Sequence, residues 1–399
     1  MYSCSTEGLC RAYRRFVVHC QSVSTPRFAL QFQRFAVSAP PLAVPHLRGP
    51  VAYTIFVCLT TVIWLEQAIR RYEHRRWTVD DNRRVLPFSW GLEHIGGRAN
   101  DPDPRSFLDR WVSETLPRSD DFYAASPAPD YRLSSDGVLT FSTAHPSPWP
   151  ENNTVHTRFF RAKHSGPAVL ILPHWNAKPH AYVTLARWLN VLGISALRLS
   201  MPYHDRRAVP GHARADHLVG PNIGLTIAAN RQAVTDARRA LHWLTSQGYD
   251  RLGILGTSIG SSVGFITLAH EPLLRAGAFL HVSTYFADVV STGMTTMHVW
   301  ESLRSKVGLD ELRRWWSPIS PFPYVGRFRT NGKRTLLVSA RYDPTFWPEY
   351  SQQLFDALQS NGVAHEKLLL PCGHYSIELP PFSIAAGGRL GLFFFHSLT

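Results

Sequence analysis

The chain has 399 residues, 44% hydrophobic and 18% charged, with 42 Lys and Arg against 29 Asp and Glu, a net charge of +13. That length and apolar content suit one large domain or two ordinary ones and exclude a disordered or fibrous chain, and no stretch reaches the roughly 18 consecutive apolar residues of a confident membrane span, which excludes a polytopic membrane protein. Nucleic acid is not an expected partner: only five of the 42 basic residues are Lys, residues 1–86 hold +7 of the +13, and no zinc-finger, basic-zipper or RNP pattern is present.

Residues 1–50 contain one acid, six Arg and scattered Ser with no sustained apolar period, the composition of a targeting leader or a disordered N-terminus. Residues 51–65 form an apolar run of fifteen that meets Glu66 and then Arg70, Arg71, Arg75 and Arg76. Two readings stay open for residues 51–76: a helix packed on the body of the protein, or a membrane-surface or signal-anchor helix flanked by cytoplasmic arginines. The expected location is therefore the cytoplasm or the cytoplasmic side of a membrane, with a targeting leader left open. Residues 51–134 make an N-terminal helical region, acting as an anchor or as a cap on the rest of the chain. Three of the five cysteines lie in the leader, leaving Cys58 and Cys372, so no disulfide framework is expected. No Cys/His spacing suggests a metal, and neither a metal nor a cofactor is expected.

From residue 135 the chain alternates. Strands are expected at 138–142, 155–160, 168–172, 194–199, 252–255, 278–282, 335–339 and 367–370, and helices at 182–192, 223–244 and from the turn after Leu255 to about Ala269. Strand and helix in alternation with short links specify an α/β fold, a mostly parallel sheet with helices on both faces. Residues 285–325 interrupt this pattern with Met294, Met297, Trp300, Trp315 and Trp316 and no clear strand. An insert of that size is either a helical lid or a segment whose aromatics only pack it onto the domain.

The turn after Leu255 reads Gly256-Thr257-Ser258-Ile259-Gly260, a G-x-S-x-G between an apolar strand and an apolar helix. On so sharp a turn the flanking residues must be small, and the Ser hydroxyl stands clear over a helix N-terminus. A Ser hydroxyl needs a base, and the base an orienting acid. Asp343 follows the strand 335–339 and His374 follows the strand 367–370, with Gly373 beside it. Asp205, Asp288 and Asp356 compete with Asp343 as the acid.

The motifs G-T-S-I-G, R-Y-D-P and C-G-H-Y, in that order and each after a strand, resemble those of the α/β-hydrolase superfamily over residues 135–399. The resemblance implies an α/β-hydrolase fold in which Ser258 is the nucleophile, His374 the base and Asp343 the group that orients it. It also implies an oxyanion hole from the amide of Ile259 and one from the loop after strand 168–172, here Pro173-His174-Trp175-Asn176-Ala177, where many members read H-G-x. The His matches and the Gly does not, which leaves Trp175 or Asn176 as the second donor. The segment 283–293 is similar to the alpha/beta hydrolase domain-containing protein eighteen group, and dienelactone-hydrolase and prolyl-peptidase-like members are similar in the same way.

In the loop 201–207, Tyr203, Arg206 and Arg207, together with His174, are candidate substrate-binding residues for an anionic or polar head group. The expected reaction is cleavage of a carboxylester or lipid-like acyl bond through an acyl-enzyme on Ser258, the partner being a small-molecule acyl substrate. A peptidase of the prolyl-oligopeptidase type, an acyltransferase using the same triad and a non-catalytic binding protein are the alternatives; the region upstream is too short for the propeller of the first.

Overall fold

The computed structural model describes residues 50–79, 82–163 and 166–399. The chain divides into two compact units at Thr60/Thr61. Most of the first, including the expected leader, lies outside the described residues. A helix, α1, runs over Pro50–Val79. No helix among the described residues is long and apolar enough to cross a membrane.

The second unit is built on a nine-stranded sheet: β1 (Arg132–Leu133), β2 (Val138–Ser142), β3 (Thr154–Phe160), β4 (Pro167–Leu172), β5 (Ser195–Leu199), β6 (Arg251–Thr257), β7 (Leu274–Leu280), β8 (Arg334–Ala340) and β9 (Glu366–Leu370). Their order is β1-β2-β3-β5-β4-β6-β7-β8-β9, antiparallel through the β3–β5 pair and parallel from β5 onward. The central parallel strands are buried on both faces, and β4 reads as an unbroken apolar run because of it. Along β4, Ala168, Leu170 and Leu172 join one hydrophobic cluster while Val169 and Ile171 join the other.

Helices cover both faces. α2 (Pro104–Thr115) lies outside the alternating body. α3 (Val183–Val191), α4 (Ile223–Ser246) and α5 (Ile259–His270) follow β4, β5 and β6. The insert carries α6 (Phe286–Thr292), α7 (Met297–Leu303) and α8 (Leu309–Trp315), and α9 (Pro348–Ser360) links β8 to β9. The last helix, α10 (Phe382–Leu398), lies beyond the expected elements. Its Phe393, Phe394 and Leu398 are buried with Ala186 and Leu189 of α3 on one face of the sheet. β7 also differs from expectation, starting at Leu274 and ending at Leu280, so that His281 follows the strand instead of lying within it.

Residues 61–134 share the core of the body: Leu92, Leu108 and Tyr123 belong to the same hydrophobic cluster as Leu170 and Phe279. The insert is fastened to this segment. Trp315 and Trp316 are wholly buried, Trp315 Nε1 donates to Asp109 Oδ1 at 2.7 Å, and Arg105 pairs with Glu311 at 2.8 Å. Its tryptophans thus pack it onto the domain, while Phe286, Val289 and Thr296 reach a large cavity at the carboxyl ends of the strands.

Candidate active site

At the carboxyl end of β6 the chain turns into α5 through Ser258, whose backbone sits at φ 57°, ψ −121°. A non-glycine residue holds such a conformation only where its surroundings over-determine it. Here Ser258 N–H donates to Leu280 O at 2.9 Å, while Ser258 O accepts from Ser261 N–H at 2.8 Å and from Ser261 Oγ at 2.6 Å. The flanking glycines permit the turn. A Cβ on Gly256 would stand 2.1 Å from Gly260 O, and one on Gly260 would stand 2.2 Å from Leu172 O. Ser258 is 7% exposed, and its hydroxyl has no hydrogen-bond partner among the described residues. It lines a cavity of about 1690 Å³ together with Ile259, His174, Trp175, His281 and His374.

Asp343 follows β8 and His374 follows β9, and the structure brings them into contact: His374 Nδ1 lies 3.1 Å from Asp343 Oδ2. The other carboxylate oxygen, Oδ1, accepts from the amides of Thr345 and Phe346 at 2.8 Å each. Asp343 is buried, which by itself favours the neutral acid, but the neighbouring His374 and His281 rings hold its carboxyl well below the usual range. Burial acts against the charged form of His374 as well. The Asp343 carboxylate outweighs it, helped by Glu73 and Glu378, and the imidazole is raised. The Phe346 ring stacks on His374 at 5.7 Å. With Nδ1 engaged, Nε2 is the nitrogen left for the cavity. The three competing acids are used elsewhere: Asp205 pairs with Arg198 at 3.0 Å, Asp288 with Arg313 at 2.5 Å, and Asp356 is exposed and accepts from Gln352 at 2.7 Å.

A third residue in this cluster lay outside the sequence expectations. His281 is buried at φ 54°, and its Nδ1 approaches Asp343 Oδ2 to 2.7 Å. The approach is not in line with the ring N–H, so it is a close electrostatic contact and no straight hydrogen bond; Nε2 has no hydrogen-bond partner among the described residues. Donor atoms of His281, Asp343 and His374 lie within 4.8 Å of one another. One carboxylate oxygen already serves both imidazoles, and we assign no metal to it. The available signal was the strand-end rule, that functional groups in parallel sheets follow the carboxyl ends of strands. An expected strand running through residue 282 concealed it.

The loop after β4 carries His174, Trp175 and Asn176 to the same cavity. The two expected donors part company here. Asn176 N–H is spent on His204 Nε2 at 2.8 Å, which corrects its place as a candidate oxyanion donor. Trp175 N–H, like Ile259 N–H, has no acceptor among the described residues. The Trp175 ring is stacked with the His298 ring of the insert at 5.8 Å, and the Arg214 guanidinium lies over it at 4.6 Å. His204 gives its other nitrogen, Nδ1, to Pro202 O at 2.8 Å; burial lowers its pKa to about 4, so it stays neutral with Nε2 free to accept. His174 Nδ1 meets Tyr182 Oη at 2.8 Å, and burial lowers its pKa to about 3.

The loop 201–207 separates likewise. Arg207 is completely buried, donating to Asn152 O at 3.0 and 2.9 Å, Ser200 O at 3.0 Å and Asp236 Oδ2 at 2.8 Å. Every arm of its guanidinium is used inside the protein, which corrects its place among the substrate-binding candidates. Tyr203 is 3% exposed, its ring packed edge-on against Trp149 and His217. Arg206 is exposed and lines the cavity.

Residues 228–376, a little over a third of the chain, match the prolyl oligopeptidase family. Among solved structures, acetyl xylan esterase 1 of Thermoanaerobacterium sp. JW/SL YS485 is 14% identical with a TM-score of 0.52, over 72% of this chain and 98% of that one. The acetyl xylan esterase of Paenibacillus sp. R4 is 15% identical with a TM-score of 0.51, over 77% and 99%. No curated protein matches the chain. At these identities the likeness is one of fold.

Proposed function

Starting from its membership of the α/β-hydrolase superfamily, we propose that this chain is a serine hydrolase that cleaves an ester bond through an acyl-enzyme on Ser258. The observation that carries this reading is the Asp343–His374 contact at 3.1 Å, made at one cavity with the strained Ser258 turn. In the proposed mechanism His374 Nε2 takes the Ser258 hydroxyl proton as Oγ attacks the substrate carbonyl. Asp343 holds the Nδ1–H tautomer and stabilises the imidazolium that forms. The amides of Ile259 and Trp175, both without an acceptor among the described residues, receive the oxyanion. The imidazolium then protonates the leaving alcohol, and water, activated by the same imidazole, releases the acid. The Ser258 hydroxyl has no hydrogen-bond partner among the described residues; catalytic hydrogen bonds commonly tighten only when substrate is bound.

The substrate side of the proposal rests on the cavity. Phe286, Val289, Val290 and Leu390 offer an apolar lining for an acyl chain, and exposed Arg206 at the same cavity suits an anionic or polar head group. The second reading, a prolyl-oligopeptidase-like peptidase, is favoured by the family match over residues 228–376. Fluorophosphonate labelling of wild type and Ser258→Ala tests the chemistry; labelling that persists in folded Ser258→Ala would defeat it. p-Nitrophenyl esters of rising chain length, set against peptide p-nitroanilides, then choose between the two substrate classes.

A further inference from the structure

α1 reaches the loop that bears His374. Glu73 of this helix is 2% exposed, yet it forms no ion pair with a basic side chain among the described residues. Its carboxylate instead takes two backbone amides: Tyr375 N–H donates to Oε2 at 2.9 Å and Ser376 N–H to Oε1 at 2.8 Å. These are the two residues directly after His374. The residue directly before it, Gly373, touches the same group, since a Cβ there would stand 2.4 Å from Glu73 Cδ. Gly373 N–H in turn donates to Ser376 Oγ at 2.8 Å, closing the loop on itself around the carboxylate.

The same helix also leans on the neighbouring loop. The Arg76 guanidinium lies 5.9 Å from the Tyr375 ring and that of Arg70 lies 5.8 Å from the ring of Tyr342, the residue before Asp343. Burying a carboxylate costs several kcal/mol unless hydrogen bonds compensate it, so a buried Glu bonded only to the amides of one loop is a specific clamp and no incidental surface contact.

We infer that Glu73 is a positioning residue of the active site, holding the His374 loop in register so that the imidazole bridges Asp343 and the Ser258 hydroxyl. The inference rests on the serine-hydrolase reading for its catalytic meaning, but the geometry of the clamp stands apart from it. It makes residues 70–76 of α1 a working part of the site. The groups facing His374 are Asp343 after β8, His281 after β7, His174 after β4, Glu378 on its own loop and Glu73 from α1. Of these, Glu73 and Glu378 are the carboxylates not bonded to the ring itself.

The test uses the full chain with Glu73→Gln and Glu73→Asp, and Arg71→Gln as a control that removes a charge from an exposed position of the same helix without touching the carboxylate. Two readouts are taken: kcat and KM on p-nitrophenyl acetate, and the titration midpoint of His374 by NMR of ¹³C-labelled histidine, assigned with His374→Asn. Glu73→Gln is expected to lower kcat roughly tenfold with KM within about twofold, because the substrate still binds while the base is misplaced. It is also expected to move the His374 midpoint down by about half a pH unit, one negative charge having left its surroundings. Glu73→Asp keeps the charge but shortens the reach, so kcat falls less and the midpoint stays near that of wild type. Arg71→Gln leaves both in place. Unchanged kcat in either folded Glu73 variant, or an unmoved midpoint in Glu73→Gln, overturns the inference. Should wild type show no Ser258-dependent turnover, the serine-hydrolase reading fails by itself and the midpoint still decides the role of Glu73.

Discussion

His281 and His374 meet on a single oxygen: the Nδ1 atoms of the two rings lie 2.7 and 3.1 Å from Asp343 Oδ2, with the ring centroids 4.5 Å apart. Two imidazoles on one carboxylate oxygen raise the question of which is the base. Only His374 has the in-line bond that fixes its tautomer and leaves Nε2 for Ser258. His374→Asn is therefore expected to lower kcat/KM at least about 10³-fold, and His281→Asn less than about tenfold. The reverse order, measured on one ester under one set of conditions, would transfer the role of base to His281.

Arg206 and Arg207 are adjacent in sequence and opposite in environment. Removing the Arg207 guanidinium leaves the buried Asp236 carboxylate without its cation and, among the described residues, with only Thr143 Oγ, at 2.6 Å, as a donor beside it. Arg207→Met is expected to cost about 3–5 kcal/mol in urea unfolding, the range for breaking one side of a buried ion pair. Arg206→Gln should leave the unfolding midpoint in place and raise KM for anionic esters over neutral ones. Equal KM changes for both would remove Arg206 from the substrate site.

Gly260 is as tightly enclosed by backbone as Gly256 on the other side of the turn. Its added Cβ would meet Leu172 O at 2.2 Å and Pro173 O at 2.6 Å, both backbone atoms that cannot swing aside. Gly260→Ala should destabilise the protein by about 1–3 kcal/mol, as overpacking of a filled site does, and slow fluorophosphonate labelling of Ser258 more than tenfold. Labelling at the wild-type rate would mean that the turn relaxes freely and that its strain does not place the hydroxyl.

Acid should destabilise the protein before it reaches carboxylate pKa values. His174 and His204 are held neutral by burial, at about 3 and about 4 against an ordinary 6.5. As pH falls below 6.5 the unfolded chain takes up protons that the native chain refuses, so their contribution to stability is full above 6.5 and is lost toward 4. Asp343, held below its usual range, adds a loss at still lower pH. His374 has the opposite sign: it is raised, so its contribution is present in mild acid and fades as pH rises through its folded value. Tm is expected to fall by about 5–10 °C from pH 7 to pH 5. A Tm that rises over this range would show that the raised His374 outweighs the histidines held neutral by burial.

Much of the body was legible because the signals were local. Continuous apolar runs identify β4 and β8 as strands buried on both faces, and G-T-S-I-G between a strand and a helix announces its own turn. The sequence by itself determined the parallel sheet and the order of Ser258, Asp343 and His374, each on a strand-end loop, because short-range patterning and chain order carry that information. α10 was not legible: Gly387, Gly388 and Gly391 weaken its helical signal, and the helix stands on the burial of Phe393 and Phe394 against the sheet.

What only the tertiary structure decided is which groups share a burial site. Arg207 and Asp236 are 29 residues apart, and Glu73 is 302 residues from the Tyr375 amide it accepts. No periodicity spans such separations. A carboxylate, an arginine or a loop amide has the same local signature whether it faces water or another chain segment, and its chemistry is set by the dielectric and the partners that folding places around it. For that reason chain order pointed to the serine, the acid and the histidine, while packing occupied the Asn176 amide, closed Arg207 inside the protein, and set His281 against Asp343 and Glu73 against the loop after His374.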